Sequence, residues 1–210
     1  MKKRRAKPRQ ESPMTTASPI TLEPATPAVG FGDLLGIPSN TEKSGFNAHD
    51  KTEGKEEWLT PPEIIKALGD FDLDPCAPTP ETRPWETAKA HYCIRDNGLI
   101  KPWNGRVWLN PPYGGETGKW MARAAEHRDV TALIFARTET VQFFESIWPK
   151  AKAVCFLKGR LKFYHVSGKR GGTAGAPSML VAWDGYNASK IKAAVDAGKI
   201  AGKFLYLNIA

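Results

Sequence analysis

Asn110-Pro111-Pro112-Tyr113 places a carboxamide, two prolines and a phenol ring in consecutive positions, after the apolar run Val107-Trp108-Leu109 and before Gly114-Gly115. An apolar run without helical spacing, bounded by turn residues, reads as a buried strand. Two prolines offer no N–H and cannot continue a central strand. The backbone therefore leaves the sheet at the strand's C-terminal end, where open α/β sheets put their ligands. The chemistry within reach is methylation of an exocyclic amine on a flat base. Such a nitrogen attacks poorly because its lone pair is delocalised into the ring. The Asn110 side-chain oxygen and the Pro111 carbonyl could accept its two N–H groups, pull the nitrogen toward tetrahedral geometry and aim the lone pair at a methyl donor. Tyr113 could stack on the flipped base. This is catalysis by positioning and electrostatics, with the proton leaving after attack. The same residues would also make a stiff turn with an aromatic at its rim.

The flanking chain supplies alternating strands and helices, which is an α/β pattern. Trp58-Leu59-Thr60-Pro61-Pro62 leads into Glu63 to Leu68, and Ile64, Ile65 and Leu68 share a face. Thr60 is expected as the N-cap of this helix, Pro61 as its first residue and Glu63 as the capping-box partner. Phe71 to Pro78 reads as a strand ending in an acidic-proline turn. Thr131 to Ala136 and Ala153 to Leu157 read as buried strands. Trp120 to His127, Val141 to Trp148 and residues 187–202 read as helices. Gly159 to Tyr164 and Ser178 to Trp183 are expected to close the sheet as an antiparallel, hairpin-like pair around a flexible basic loop. Gly114 to Lys119 is not a phosphate-binding P-loop, since Tyr113 stands where its first glycine belongs; it reads as a mobile loop beside the target.

Four segments in this order carry a resemblance: Trp58-Leu59-Thr60-Pro61, Asp72-Leu73-Asp74-Pro75-Cys76-Ala77, Asn97-Gly98-Leu99 with Trp103, and Val107 to Tyr113. Together, across residues 56–184, the chain resembles the phage and prophage Dam-like DNA N6-adenine methyltransferases. That resemblance implies a Rossmann-like class I methyltransferase fold, with a mainly parallel sheet and a C-terminal antiparallel hairpin. It implies S-adenosyl-L-methionine as cofactor and double-stranded DNA as partner. The catalytic residues would be Asn110, Pro111, Pro112 and Tyr113. Trp58, Thr60, Pro61, Asp74, Pro75, Cys76 and Asp96 would hold the cofactor, Asp74 at its positive amino-acid end and Asp96 at its adenine. Asp74 equally reads as an Asx-turn residue, and Asp96 as a plain turn aspartate. Cys76-Ala77 stands where many methyltransferases carry Gly-x-Gly. Lys119, Arg137, Arg160, Lys169 and Arg170 are the expected DNA contacts. Their bland readings are a helix start for Lys119, a salt bridge with Glu139 for Arg137 and a solvated loop for Lys169 and Arg170. No separate target-recognition segment stands out, so a short or relaxed recognition site is expected.

The 210 residues suffice for one ordinary domain, expected at 56–186, with a disordered Pro/Thr-rich tail over 1–55 and a helix plus extended tail over 187–210. Net charge is +8. Six Lys/Arg and no acid lie in residues 1–10, so the rest carries only +2. Such a tail adds salt-dependent phosphate affinity without reading sequence, or serves solubility. Phe31 to Ile37 interrupts the tail as a short apolar docking segment or a transient turn. Three scattered cysteines indicate no zinc site or disulfide framework and fit a reducing cytoplasm. No metal, membrane span or secretory signal is expected, and a monomer is favoured. Rival readings are a cytosine-N4, RNA or protein-amide methyltransferase of the same fold, and a catalytically silent DNA-binding module.

Overall fold

The computed structural model describes residues 58–207. The 1–55 tail, its basic cluster and Phe31 to Ile37 lie outside the described residues. A seven-stranded sheet runs through the fold. Its strands are β2 (Leu73–Asp74), β3 (Ala90–His91), β4 (Val107–Leu109), β5 (Val130–Phe135), β6 (Ala153–Leu157), β9 (Ser178–Ala182) and β10 (Gly202–Tyr206), in the order β10-β6-β9-β5-β4-β2-β3. A second sheet joins β1 (Trp58–Leu59), β7 (Lys162–His165) and β8 (Arg170–Thr173) in the order β1-β7-β8.

Successive strand residues face opposite sides, and here both sides are covered. Val107, Leu109, Val130, Ala132 and Ile134 pack with Trp120, Met121, Ala124 and Ala125 of helix α2 (Thr117–His127). Trp108, Leu133, Leu180 and Ala182 point the other way. They meet Ile64, Ile65 and Leu68 of α1 (Pro62–Leu68) and Ala188, Ile191 and Ala194 of α3 (Gly185–Asp196). Double burial explains why β4, β5 and β9 read as continuous apolar runs. Each large side chain so buried contributes about 1.5–3 kcal/mol.

The sheet is mixed rather than mainly parallel. β2–β3, β2–β4 and β4–β5 are parallel, whereas β5–β9, β9–β6 and β6–β10 are antiparallel. The expected closing hairpin does not form. Ser178–Ala182 is buried throughout, so it sits inside the sheet between β5 and β6. Lys162–His165 has an exposed edge and only Phe163 buried; it pairs with Arg170–Thr173, within the stretch expected as a flexible loop, and with β1. Val141 to Trp148 contains one wide π turn, Phe143–Ile147. The helix expected over 187–202 forms as α3, Gly185–Asp196, and stops at Asp196; Gly202 already belongs to β10, the edge strand on β6, of which Phe204 to Tyr206 are part. Among the described residues no helix is long and apolar enough to cross a membrane.

Chain direction places the rim. β2 is flanked by β3 on one side and β4 on the other, so the connections diverge at β2–β4, and ligands lodge beyond the carboxyl ends of strands at such a point. β2, β4 and β5 run parallel. β6 shares their direction, because β9 is antiparallel to both β5 and β6. Asp74, which ends β2, and Asn110, Arg137 and Arg160, which follow β4, β5 and β6, therefore all lie at the same ends of their strands.

Candidate active site

Asn110 leaves β4 with both ends of its carboxamide engaged. Its Nδ2 donates to the Trp58 carbonyl at 3.2 Å, and its Oδ1 accepts from the Tyr113 hydroxyl at 3.2 Å. Oδ1 has a second lone pair. Pro111 is buried, and among the described residues no group donates to its carbonyl. Pro112 is exposed; its carbonyl accepts from Thr117 Oγ1 at 2.9 Å, which ties the elbow to the start of α2.

Tyr113 is not open on both faces. Its ring stacks on Phe135, with centroids 4.0 Å apart and planes 10° apart, and Phe163 meets it edge-on at 6.3 Å. Desolvation holds its phenol well above the usual range, so the hydroxyl stays protonated and donates to Asn110. A base stacking on the Tyr113 face that Phe135 covers would have to displace Phe135.

The Asp74 turn lies against this elbow. Cys76 Sγ donates to the Asn110 backbone carbonyl at 3.2 Å. Asp74 is buried. Oδ1 accepts from the Cys76 N–H at 3.1 Å, forming the Asx turn, and Oδ2 accepts from Thr87 Oγ1 at 2.5 Å. Burial outweighs these bonds and lifts the carboxyl to a pKa of about 6, while the Arg83 charge pulls weakly the other way. Burial, together with the Asp74 charge, also pushes the Cys76 thiol up.

Gly98 explains how the Asp96 turn reaches the same place. A Cβ there would lie 1.8 Å from the Pro75 carbonyl oxygen, so only glycine permits the approach. The Trp103 indole N–H fixes the turn by donating to the Gly98 carbonyl at 2.8 Å. Asp96 itself takes its turn role: Oδ2 accepts from the Cys93 N–H at 2.9 Å, Oδ1 pairs with Lys101 Nζ at 3.6 Å, and the backbone N–H chiefly lowers its carboxyl pKa.

Thr60 is not the helix cap. The cap position is Pro61, without a side-chain bond, and the helix starts at Pro62. The reason is the second proline. Pro62 takes the first helical position, where a missing N–H is harmless, and moves the boundary one residue on. Thr60 is 2 % exposed and its Oγ1 has no hydrogen-bond partner. An orphaned hydroxyl between β1 and α1 is a group in want of a ligand. Trp58 meets the site through its backbone carbonyl, while its ring packs toward Gly171 and His165.

The expected DNA contacts are all solvent-facing. Lys119 pairs with Glu116 at 3.0 Å. Arg137 is exposed just beyond β5. Arg160 reaches the Ala174 carbonyl at 3.4 Å. Lys169 stands at the tip of the β7–β8 hairpin, and the Arg170 guanidinium lies 6.0 Å from the Tyr164 ring. Sequence reasoning missed Thr87, Phe135, Phe163 and the Trp58 carbonyl. Phe135 closes an apolar strand, and nothing in that pattern says which ring it meets. Among the described residues no three His, Cys, Asp or Glu side chains group to hold a metal.

A family model described as DNA N-6-adenine-methyltransferase (Dam) matches residues 47–199. No curated protein matches the chain, and no solved structure does.

Proposed function

Because the chain belongs to the DNA N-6-adenine-methyltransferase (Dam) family, we propose that it moves a methyl group from S-adenosyl-L-methionine to the exocyclic amine of an adenine flipped out of duplex DNA, on a class I methyltransferase arrangement of the sheet. The observation that carries this reading is the acceptor pair after β4: an oriented Asn110 carboxamide beside a Pro111 carbonyl that no described residue engages.

The carboxyl ends of β2 and β4 carry groups that suit a cofactor with a cationic end. Asp74 is a buried carboxylate whose pKa is raised, Thr60 Oγ1 lacks a partner, and the turns at 74–76 and 96–98 meet in backbone contact. Thr60, Pro61, the 74–76 turn and the backbone of the 96–98 turn would hold it, with Trp58 acting through Asn110. When bound, S-adenosyl-L-methionine supplies an electrophilic methyl group. Asn110 Oδ1 and the Pro111 carbonyl accept the amine's two N–H groups and rehybridise its nitrogen. Tyr113 exchanges one of its aromatic neighbours for the base. The exchange is affordable: an aromatic pair contributes about 0.5–1.5 kcal/mol beyond its area, and a stacked base roughly 1–3 kcal/mol. Arg137 and Arg160 beyond their strands, Lys119 on α2, and Lys169 and Arg170 on the hairpin neutralise phosphates and set the duplex over the rim.

The test is mass spectrometry of nucleosides from unmethylated DNA incubated with the protein and S-adenosylmethionine. N6-methyladenine is expected with the wild type and not with Asn110→Ala, whose cofactor affinity should be nearly unchanged. N4-methylcytosine would keep the mechanism and replace the acceptor. No methylated base would overturn the reading.

A further inference from the structure

We infer that the Trp58 carbonyl is the positioning group that decides which end of the Asn110 carboxamide faces the acceptor amine, and that the β1–β7–β8 sheet holds it in place. This deepens the function proposed above and rests on it.

A carboxamide has two ends of nearly equal shape and opposite character, an oxygen that accepts and an NH₂ that donates. The acceptor amine is itself a donor. With the wrong end forward, Asn110 would set N–H against N–H and lose the bond that prepares the nitrogen for attack. Something must choose the end. Among the described residues two groups hydrogen-bond the side chain, and they differ in what they can choose. The Tyr113 hydroxyl, 3.2 Å from Oδ1, can donate or accept and would serve either orientation. The Trp58 carbonyl, 3.2 Å from Nδ2, can only accept. It admits the NH₂ end alone and turns Oδ1 away from itself.

Trp58 is not held by the sheet that carries Asn110. Its strand pairs with β7, Trp58 opposite His165 and Leu59 opposite Tyr164, and β7 pairs with β8. The indole lies over β8 at Gly171, where a Cβ would fall 2.3 Å from the ring carbon Cζ3. Gly171 therefore lets the indole rest there, and with it the carbonyl. The same small sheet carries Lys162 and Arg170, with Lys169 in the turn that joins β7 to β8. The basic hairpin and the orienting carbonyl thus share one frame.

Two variants of the full chain test this, assayed on unmethylated duplex DNA with S-adenosylmethionine beside the wild type. In Asn110→Asp the ionised side chain keeps its acceptors but has no donor for Trp58, so acceptor meets acceptor. Protonation restores the donor and leaves the carbonyl oxygen facing the amine. The ratio of variant to wild-type kcat should rise about tenfold for each unit fall in pH between pH 8 and 6. Asp74, Cys76, Tyr113 and His165, the titratable groups on the packed elements, are common to both proteins, so dividing by the wild type removes what they contribute to it; Asp74, near 6, is the one that also feels the new carboxylate through the Cys76 turn, so the slope is read toward the pH 8 end of the range. Gly171→Ala displaces the indole and should lower kcat about a hundredfold, with cofactor affinity nearly unchanged. A ratio that does not vary with pH overturns the orienting role. A Gly171→Ala kcat equal to the wild type's overturns the role of the small sheet. A wild type that makes no N6-methyladenine overturns the functional reading, and this inference with it.

Discussion

Asp74 offers the sharpest quantitative test, because its burial has a thermodynamic cost that pH can switch off. The folded carboxyl titrates near 6 against an ordinary value of 3.8. The folded state therefore holds that proton more tightly than the unfolded chain does. The group favours folding below about 3.8, and that contribution is lost as pH rises through about 6. Above pH 6 the ionised carboxylate costs up to about 3 kcal/mol, the gap of roughly two pH units at 1.36 kcal/mol each. Asp74→Asn removes the titration. Its oxygen can still accept the Cys76 N–H, and its NH₂ can donate to the Thr87 hydroxyl, so the turn survives. Urea unfolding at pH 4 to 8 should show the variant gaining on the wild type as pH rises from about 4 to 6, then a constant advantage of up to about 3 kcal/mol. The same variant should bind S-adenosylmethionine more weakly above pH 6, and wild-type binding near pH 5.5 should release a proton, read by calorimetry in buffers of different ionisation heat. Parallel stability profiles for the two proteins would refute the claim that Asp74 is buried without an adequate counter-charge. A stability gain without loss of affinity would leave Asp74 as a turn residue only.

Gly98→Ala places a methyl group against the Pro75 carbonyl, which cannot yield without moving the 74–76 turn; a loss of about 1–3 kcal/mol in chemical unfolding and a weakened cofactor affinity by calorimetry are expected, and unchanged stability would contradict the close approach. Replacing Lys169 and Arg170 together by Ala should weaken duplex binding and flatten the dependence of log K on log salt by about two, with cofactor affinity unchanged; an unaltered slope in fluorescence anisotropy would take the hairpin off the phosphates.

The legible parts of this chain are those where one residue type admits one geometry. Pro111-Pro112 could only end β4, and it does. Ala153–Leu157 is a strand with the bounds its apolar run gives. The wrong parts are those where pattern allows two partners. Gly159 to Tyr164 and Ser178 to Trp183 read as a hairpin-like pair, whereas full burial draws Ser178–Ala182 between β5 and β6 and an exposed edge leaves Lys162–His165 to its own sheet. Thr60 went wrong for a narrower reason: one more proline moved the helix start and turned a cap into an unsatisfied buried hydroxyl. Long-range contacts were not legible at all. The Trp58 carbonyl on Asn110 joins residues 52 apart, through a backbone group that every residue carries. Composition, spacing and periodicity speak for side chains, so a site oriented by a main-chain oxygen appears only when the fold has brought that oxygen to it. The sequence shows which amide could hold an amine, but the direction in which that amide points is a property of the second sheet.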